Sequence, residues 1–251
     1  MGVADGRHKM SEHREVQLAH RFFAPWTVLR QLAQGRSLSR TLLNLSLRTI
    51  EVRGRILDLG AKSTTGSYYS YLQVDDGVDV TFTDLSDASG VTRVDVEDVF
   101  PFEANTFDVV LAMHLFEHVY QYRKAPPEIA RILKPGGQLI VAVPFLQEYH
   151  ADPGDYVRLT HTALVRWGEE AGLRCESIEA LGEGFTTFAL TKLVYQVLPR
   201  FLRPFFACVA YLVGTVVDRV VALRPRVGGL SVPQRFALEF VAIFRKPGEP
   251  Q

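Results

Sequence analysis

Asp58, Gly60, Asp84 and Asp95 fall in the strings ILDLGA, TFTD and VTRVD, each at or just beyond the end of a short apolar run. A glycine after a strand lets backbone approach a ligand closely, and the acid two residues earlier can accept from the loop or from a ligand ammonium. A carboxylate in the position of Asp84, past the next strand, can take both hydroxyls of a ribose. Asp95 follows a third run and can accept from an exocyclic amine, with Val96 and Phe102 over the ring faces; a turn-capping carboxylate is the alternative. Ala61 and Leu85, beside Gly60 and Asp84, belong to the same expected binding group. Met113 and His114 end the FDVVLAMH run and would line the cleft, whereas Glu117 and His118 begin or cap the element after it.

A second polar cluster is YHADPGDYVRLT, Tyr149 to Thr160. An imidazole titrates near pH 6.5, so His150 can take a proton from an attacking hydroxyl, with Asp152 or Asp155 orienting its ring. His114 and His118 are the alternative bases, and with Tyr149 and Arg158 they are expected to contact an acceptor. Arg158 would hold an anionic or hydroxylated group, or pair with Asp155 three residues away. Cys175 and Cys208 lie far apart without CxxC or His/Cys spacing, so no metal site and no disulfide framework is expected.

These residues need a sheet that carries its ligands at the strand tips. RILDLG, VDVTFTD, VTRVD, FDVVLAMH and QLIVAVP are short runs rich in Val, Ile and Phe, separated by helical patterns, as βαβ units require. Apolar residues from Phe22 to Ile50 recur at helical spacing around a break at Gly35, which predicts two helices in front of the sheet. THTALVRWGEEAG reads as an N-capped helix stopped by glycine. A strand over Arg174 to Leu181 and a last, reversed strand over Arg235 to Arg245 complete the sheet.

Residues 186–226 crowd apolar side chains into a helical pattern interrupted by Pro199 and Pro204. The longest nearly unbroken apolar stretch, Phe205 to Val217, falls short of the ~20 residues a bilayer span needs. The segment is read as a helical lobe over the site or at a dimer contact. With Lys192, Arg200, Arg203, Arg219, Arg224 and Arg226 around it, peripheral contact with an anionic membrane is the other reading.

LDLGA, the Asp84 strand end, VDVEDVFPFEANTFDVVLAMHLFEHV and EIARILKPGGQLIVAVPF together resemble the successive motifs of class I S-adenosylmethionine-dependent methyltransferases of the small-molecule type. The resemblance covers about Arg53 to Phe145. It implies an α/β, Rossmann-like, seven-stranded, mostly parallel sheet with an antiparallel last strand and helices on both faces, plus a helical insertion. It implies S-adenosylmethionine as cofactor, with Asp58 and Gly60 near the methionine moiety, Asp84 at the ribose and Asp95 at the adenine. The HxDPxDYxRxT stretch resembles members associated with saccharide or lipid-linked saccharide pathways, which implies O-methylation of a small molecule or such a saccharide. One departure stands out: Lys62 and Thr64 replace glycines usual in GAKSTTG, which leaves a non-catalytic methyltransferase-like binding subunit as the alternative. The same loop lacks the GxGxxG that a nicotinamide enzyme would require.

The 251 residues, 47% hydrophobic and 22% charged, fit one domain with an appended lobe: a frayed tail over 1–20, helices over 21–53, the core over 54–185 and 227–247, and the lobe over 186–226. Twenty-eight basic and 28 acidic residues cancel, which disfavours nucleic acid as a partner. A polar N-terminus without an apolar h-region and two isolated cysteines lead to the expectation of a cytoplasmic protein.

Overall fold

A computed structural model describes residues 16–61, 68–86, 89–223 and 225–248. Its main sheet contains β1 (Ala19–His20), β2 (Arg55–Leu59), β3 (Asp79–Asp84), β4 (Thr92–Arg93), β5 (Phe107–Met113), β6 (Leu133–Pro144), β7 (Arg174–Leu181) and β8 (Glu239–Arg245). The spatial order is β1-β7-β8-β6-β5-β2-β3-β4, and every neighbouring pair is parallel except those of β8, which runs antiparallel to both β6 and β7. From β2 the chain builds outward through β3 to β4 and then returns to start the other half at β5. The strand order therefore reverses between β2 and β5, the place where open α/β sheets bind ligands beyond their strand tips.

Period-two alternation sorts the side chains. Leu57, Leu59, Val110, Ala112, Leu139 and Val141 pack on one face against α3 (Ala125–Ile132) and α4 (His161–Glu169). Ile56, Val109, Leu111, Met113, Ile140 and Ala142 pack on the other against α1 (Pro25–Ala33), α2 (Leu38–Leu47) and Tyr211. Gly35, in the left-handed region at φ +83°, turns the chain between α1 and α2, as its position in the sequence predicts. Ser37 then caps α2 by accepting from the Arg40 amide, and Thr160 caps α4 by accepting from the Ala163 amide.

The apolar segment is a helical hairpin, α5 (Phe185–Val197) and α6 (Arg203–Val221). Pro204 lies in the first turn of α6, where its missing N–H costs nothing, so it starts this helix rather than breaking one. Asp218 of α6 is buried and accepts from the Thr186 and Thr187 amides at 3.0 and 2.8 Å and from the Thr187 hydroxyl at 2.7 Å. It thereby caps α5 from the neighbouring helix. A Cβ on Gly214 would lie 2.5 Å from Thr187 Cα, so glycine sets the approach of the two helices. By length and composition α6, 19 residues with mean hydropathy 1.6, is apolar enough to cross a membrane, which corrects the shorter apolar length read from the sequence. Its small residues Ala207, Ala210 and Gly214 face inward, while Phe205, Val209, Val213, Val216 and Val220 are exposed.

Two boundaries differ from expectation. Residues 16–20 of the segment expected to fray are placed: Leu18 joins the core, and β1 adds an eighth strand at the edge beside β7. The last strand begins at Glu239, not Arg235, because Val232–Arg235 form a short helix, α7, closed by a Ser231/Gln234 capping box. Lys62 and Thr64 lie outside the described residues.

Candidate functional site

Beyond the tips of β2, β3 and β5, Gly60, Asp84, Leu85, Asp95, Val96, His114, Leu115 and His118 line a cavity of about 760 Å³, closed on one side by Asp152, Pro153 and Tyr156. That volume lies within the ~300–1,000 Å³ of small-molecule sites. Gly60 has φ +72°, and a Cβ there would come within 2.7 Å of Leu115 Cδ1, so the turn admits no side chain. Asp84 Oδ1 accepts from the Leu85 amide at 2.6 Å and Asp95 Oδ1 from the Glu97 amide at 2.9 Å. Among the described residues each carboxylate is thus oriented through one oxygen. Two acids at neighbouring strand tips, an apolar wall and a glycine turn suit an adenosyl group.

Several expected contacts lie elsewhere. Asp58 shares the strand parity of Ile56, so it points to the opposite side of the sheet from Leu57 and Leu59. It is fully buried there and accepts from the Tyr68 hydroxyl at 2.6 Å. Burial pushes its carboxyl up to about 7 against the lowering effect of that bond. Asp58 therefore braces the turn from behind instead of touching the cavity. Met113 has the same parity as Leu111 and packs into the core. Ala61 donates its amide to the Thr83 carbonyl at 2.9 Å and is not part of the wall, and Phe102 stacks on Phe107.

A second cavity of about 400 Å³ lies between the N-terminal turn of α2 and α5, lined by Ser39, Arg40, Gln147, Glu148, His150, Thr191, Lys192 and Gln196. Lys192 Nζ reaches Gln147 and Glu148 at 3.1 and 3.0 Å, which ties α5 to the loop after β6. His114 lines both cavities. Its φ of +53° is unusual for a side-chain-bearing residue, and its Nε2 lies 2.5 Å from Oε2 of fully buried Glu239. Burial works against charge on this imidazole, but the hydrogen bond and charge of Glu239, with the charge of Glu117, prevail over it and over Arg40 and raise its pKa above 6.5. The reversed strand explains the geometry. Only a strand running against β6 and β7 can begin at the edge where they end, and β8 begins there with Glu239, paired with Pro144 and Leu181.

Behind His114, Glu117 is buried, and among the described residues no other residue hydrogen-bonds its carboxylate oxygens; burial raises its pKa against the pull of the His114 imidazole, its own amide and the imidazoles of His118 and His150. His118 and His150 stack edge to face, with centroids 5.0 Å apart. Of the residues expected to hold an acceptor, His114 and His118 are at the cavities, but Tyr149 is exposed outside both. Arg158 forks onto Asp155, bonding Oδ1 through Nη1 and Oδ2 through Nη2 at 2.7 Å, so the pairing alternative is the one realised. Asp155 also accepts from the His150 amide at 2.8 Å, which makes this loop a brace for His150. Glu239 went unnoticed in the sequence. Its signal was an acid inside an apolar strand, a group that demands a partner once buried.

Strand order, the reversed β8 and a ligand cavity at the switch point define the architecture of class I methyltransferases. Residues 57–141 match the family described as "Methyltransferase domain". The chain is 29% identical over 176 residues to the uncharacterized methyltransferase YcgJ of Bacillus subtilis, covering 64% of this chain and 66% of that protein. It is 58% identical over 43 residues to the uncharacterized protein MJ0638 of Methanocaldococcus jannaschii, covering 17% and 19%. It thus spans less than two thirds of either relative's length. The [4+2]-cyclase SpnF is similar in fold at TM-score 0.50 and 16% identity, over 93% of this chain and 98% of that one. A structure of a Haloferax volcanii Trm112 methyltransferase activator with a putative methyltransferase aligns at TM-score 0.50 and 17% identity, over 90% and 96%. The chain thus has a class I methyltransferase-like fold, and residues 57–141 within it match a methyltransferase domain family.

Proposed function

We propose that this protein transfers a methyl group from S-adenosylmethionine to a hydroxyl oxygen of a polar acceptor, with the donor in the larger cavity and the acceptor under α5. The observation that carries this reading is His114, which lines both cavities and is held from behind by buried Glu239. The bound cofactor supplies a sulfonium methyl group already labile to displacement. Alignment and desolvation are then the protein's main task, with one base. When Nε2–H donates to Glu239, Nδ1 of His114 carries the lone pair that accepts the hydroxyl proton, and the buried carboxylate stabilises the imidazolium that forms. His114 thus takes the base role expected of His150. His150 lines the acceptor cavity instead, its Nδ1 3.0 Å from the Glu148 carbonyl.

Asp84 would hold the ribose hydroxyls and Asp95 the adenine amine, beside Val96 and Leu115. Asp84→Ala is expected to weaken S-adenosylmethionine binding more than tenfold in a calorimetric titration, since a hydrogen bond to a charged group contributes about 1.5–3 kcal/mol. Unchanged affinity would remove Asp84 from the site. Wild-type protein that is folded and binds no cofactor would favour the non-catalytic alternative.

Hydroxyl, amide, ammonium and guanidinium groups around the smaller cavity suit a polyhydroxylated acceptor, which supports a saccharide. The same helix that roofs it with Thr191 and Lys192 exposes Leu193 and Val197, continuous in sequence with exposed Phe201 and the outer face of α6. That juxtaposition supports a lipid-linked saccharide presented at a membrane surface, with the apolar face in the interface and Arg200 and Arg219 near anionic headgroups. Flotation with anionic liposomes is expected to carry the wild-type chain upward and to leave a variant with Phe205, Val209, Val216 and Val220 changed to Ser at the bottom. Equal flotation of both removes the membrane reading and leaves the acceptor soluble.

A further inference from the structure

Glu117, His118 and His150 place one ligand atom each within 4.8 Å of one another, at the junction of the two cavities: His118 lines the donor side and His150 the acceptor side. We propose that these three residues form a site for one divalent transition-metal ion of the zinc type.

Three independent features of the side chains point to a cation. Glu117 is 1% exposed, and among the described residues neither of its oxygens has a hydrogen-bond partner in another residue. A carboxylate so buried needs a positive or donating neighbour, and among the described residues no other side chain supplies it a hydrogen bond. The Nδ1 atoms of both histidines lie against backbone carbonyls, His118 at 2.6 Å from Gly154 and His150 at 3.0 Å from Glu148. Such bonds fix Nδ1 as the protonated nitrogen and leave the Nε2 lone pair for a metal, the arrangement that orients ligating imidazoles in metalloproteins. His118 Nε2 is already 3.8 Å from Glu117 Oε1, and ligands ~2.0–2.1 Å from a tetrahedral ion stand about 3.4 Å apart. His150, the most exposed of the three, offers its ligand atom within 4.8 Å of the other two.

Two imidazoles and a carboxylate form a borderline donor set that suits zinc, cobalt or iron(II) better than magnesium or calcium. The ion would offset the buried charge of Glu117 and keep a coordination position open beside the acceptor cavity. On the methyl-transfer reading above, an acceptor oxygen can occupy that position and lose its proton more readily.

The test is cobalt(II) titration of chelator-treated full-length protein, followed by visible d–d absorption, with zinc competition and circular dichroism as the folding control. Saturation at one equivalent is expected, with affinity falling more than about tenfold in His118→Ala and in His150→Ala and unchanged in His161→Ala, which lies outside the cluster. Folded protein that gives no saturable absorption overturns the site, as does equal affinity in His118→Ala, His150→Ala and wild type. S-adenosylmethionine binding measured on the same samples separates the two readings: cobalt uptake supports the metal site whether or not the cofactor binds, and cofactor binding without uptake overturns the metal site alone.

Discussion

Replacing His114 by Gln is expected to slow methyl transfer by about a hundred- to ten-thousand-fold while changing S-adenosylmethionine affinity only a few-fold, because it removes a positioned base but leaves Asp84, Asp95 and Gly60 in place. The pH profile distinguishes this from a loss of packing. The base works only when neutral, and Glu239 and Glu117 raise its pKa against burial and Arg40. The wild-type rate should therefore rise with pH through an apparent pKa above 6.5 and level off beyond it. In Glu239→Gln the neighbouring charge is gone and burial is not, so the acid limb should move to lower pH even as the plateau falls. An unmoved limb in Glu239→Gln, or full activity in His114→Gln, would show that another group takes the proton.

The second large effect concerns the helical hairpin. In Gly214→Val even the first added carbon would stand 2.5 Å from Thr187 Cα, a backbone atom that cannot swing away, so α5 and α6 must separate. Separation would also pull Asp218 from the Thr186 and Thr187 amides it caps. Overpacking against a rigid neighbour costs about 1–3 kcal/mol or more. At ~2–4 °C per kcal/mol for a domain of this size, that corresponds to a Tm lower by several degrees. Because α5 roofs the smaller cavity, the acceptor KM should rise while cofactor affinity holds. Gly248→Ala, where nothing lies within 4 Å of the added carbon, serves as the control and should leave Tm unchanged. Equal melting of Gly214→Val and wild type would mean that the hairpin tolerates a wider gap.

The strands were legible because each is a short apolar run with alternating faces, and the places of Asp84 and Asp95 in the cavity lining were legible because they stand at or just past the ends of such runs. Alternation also shows why two of the expected residues are not in the lining of the larger cavity. Asp58 and Met113 share the parity of Ile56 and Leu111, so both belong to the face covered by α1 and α2; the sequence shows the parity but not which face the ligand meets. Arg158 stands three residues from Asp155, close enough in the chain that their pairing was one of two readings, and only coordinates choose between them. The links from His114 to Glu239 and from Glu117 to His150 are long-range. The first depends on β8 entering the sheet backwards, and the second on the path of the loop after β6.

On the proposed reading Gly60, Asp84 and Asp95 meet the donor, the acceptor chamber is walled by α2, α5 and the loop after β6, and among the described residues only His114 lines both cavities. Specificity can therefore be reprogrammed by grafting: exchanging the α5–α6 hairpin for that of a related enzyme should alter which molecule is modified and leave the donor's dissociation constant as it was.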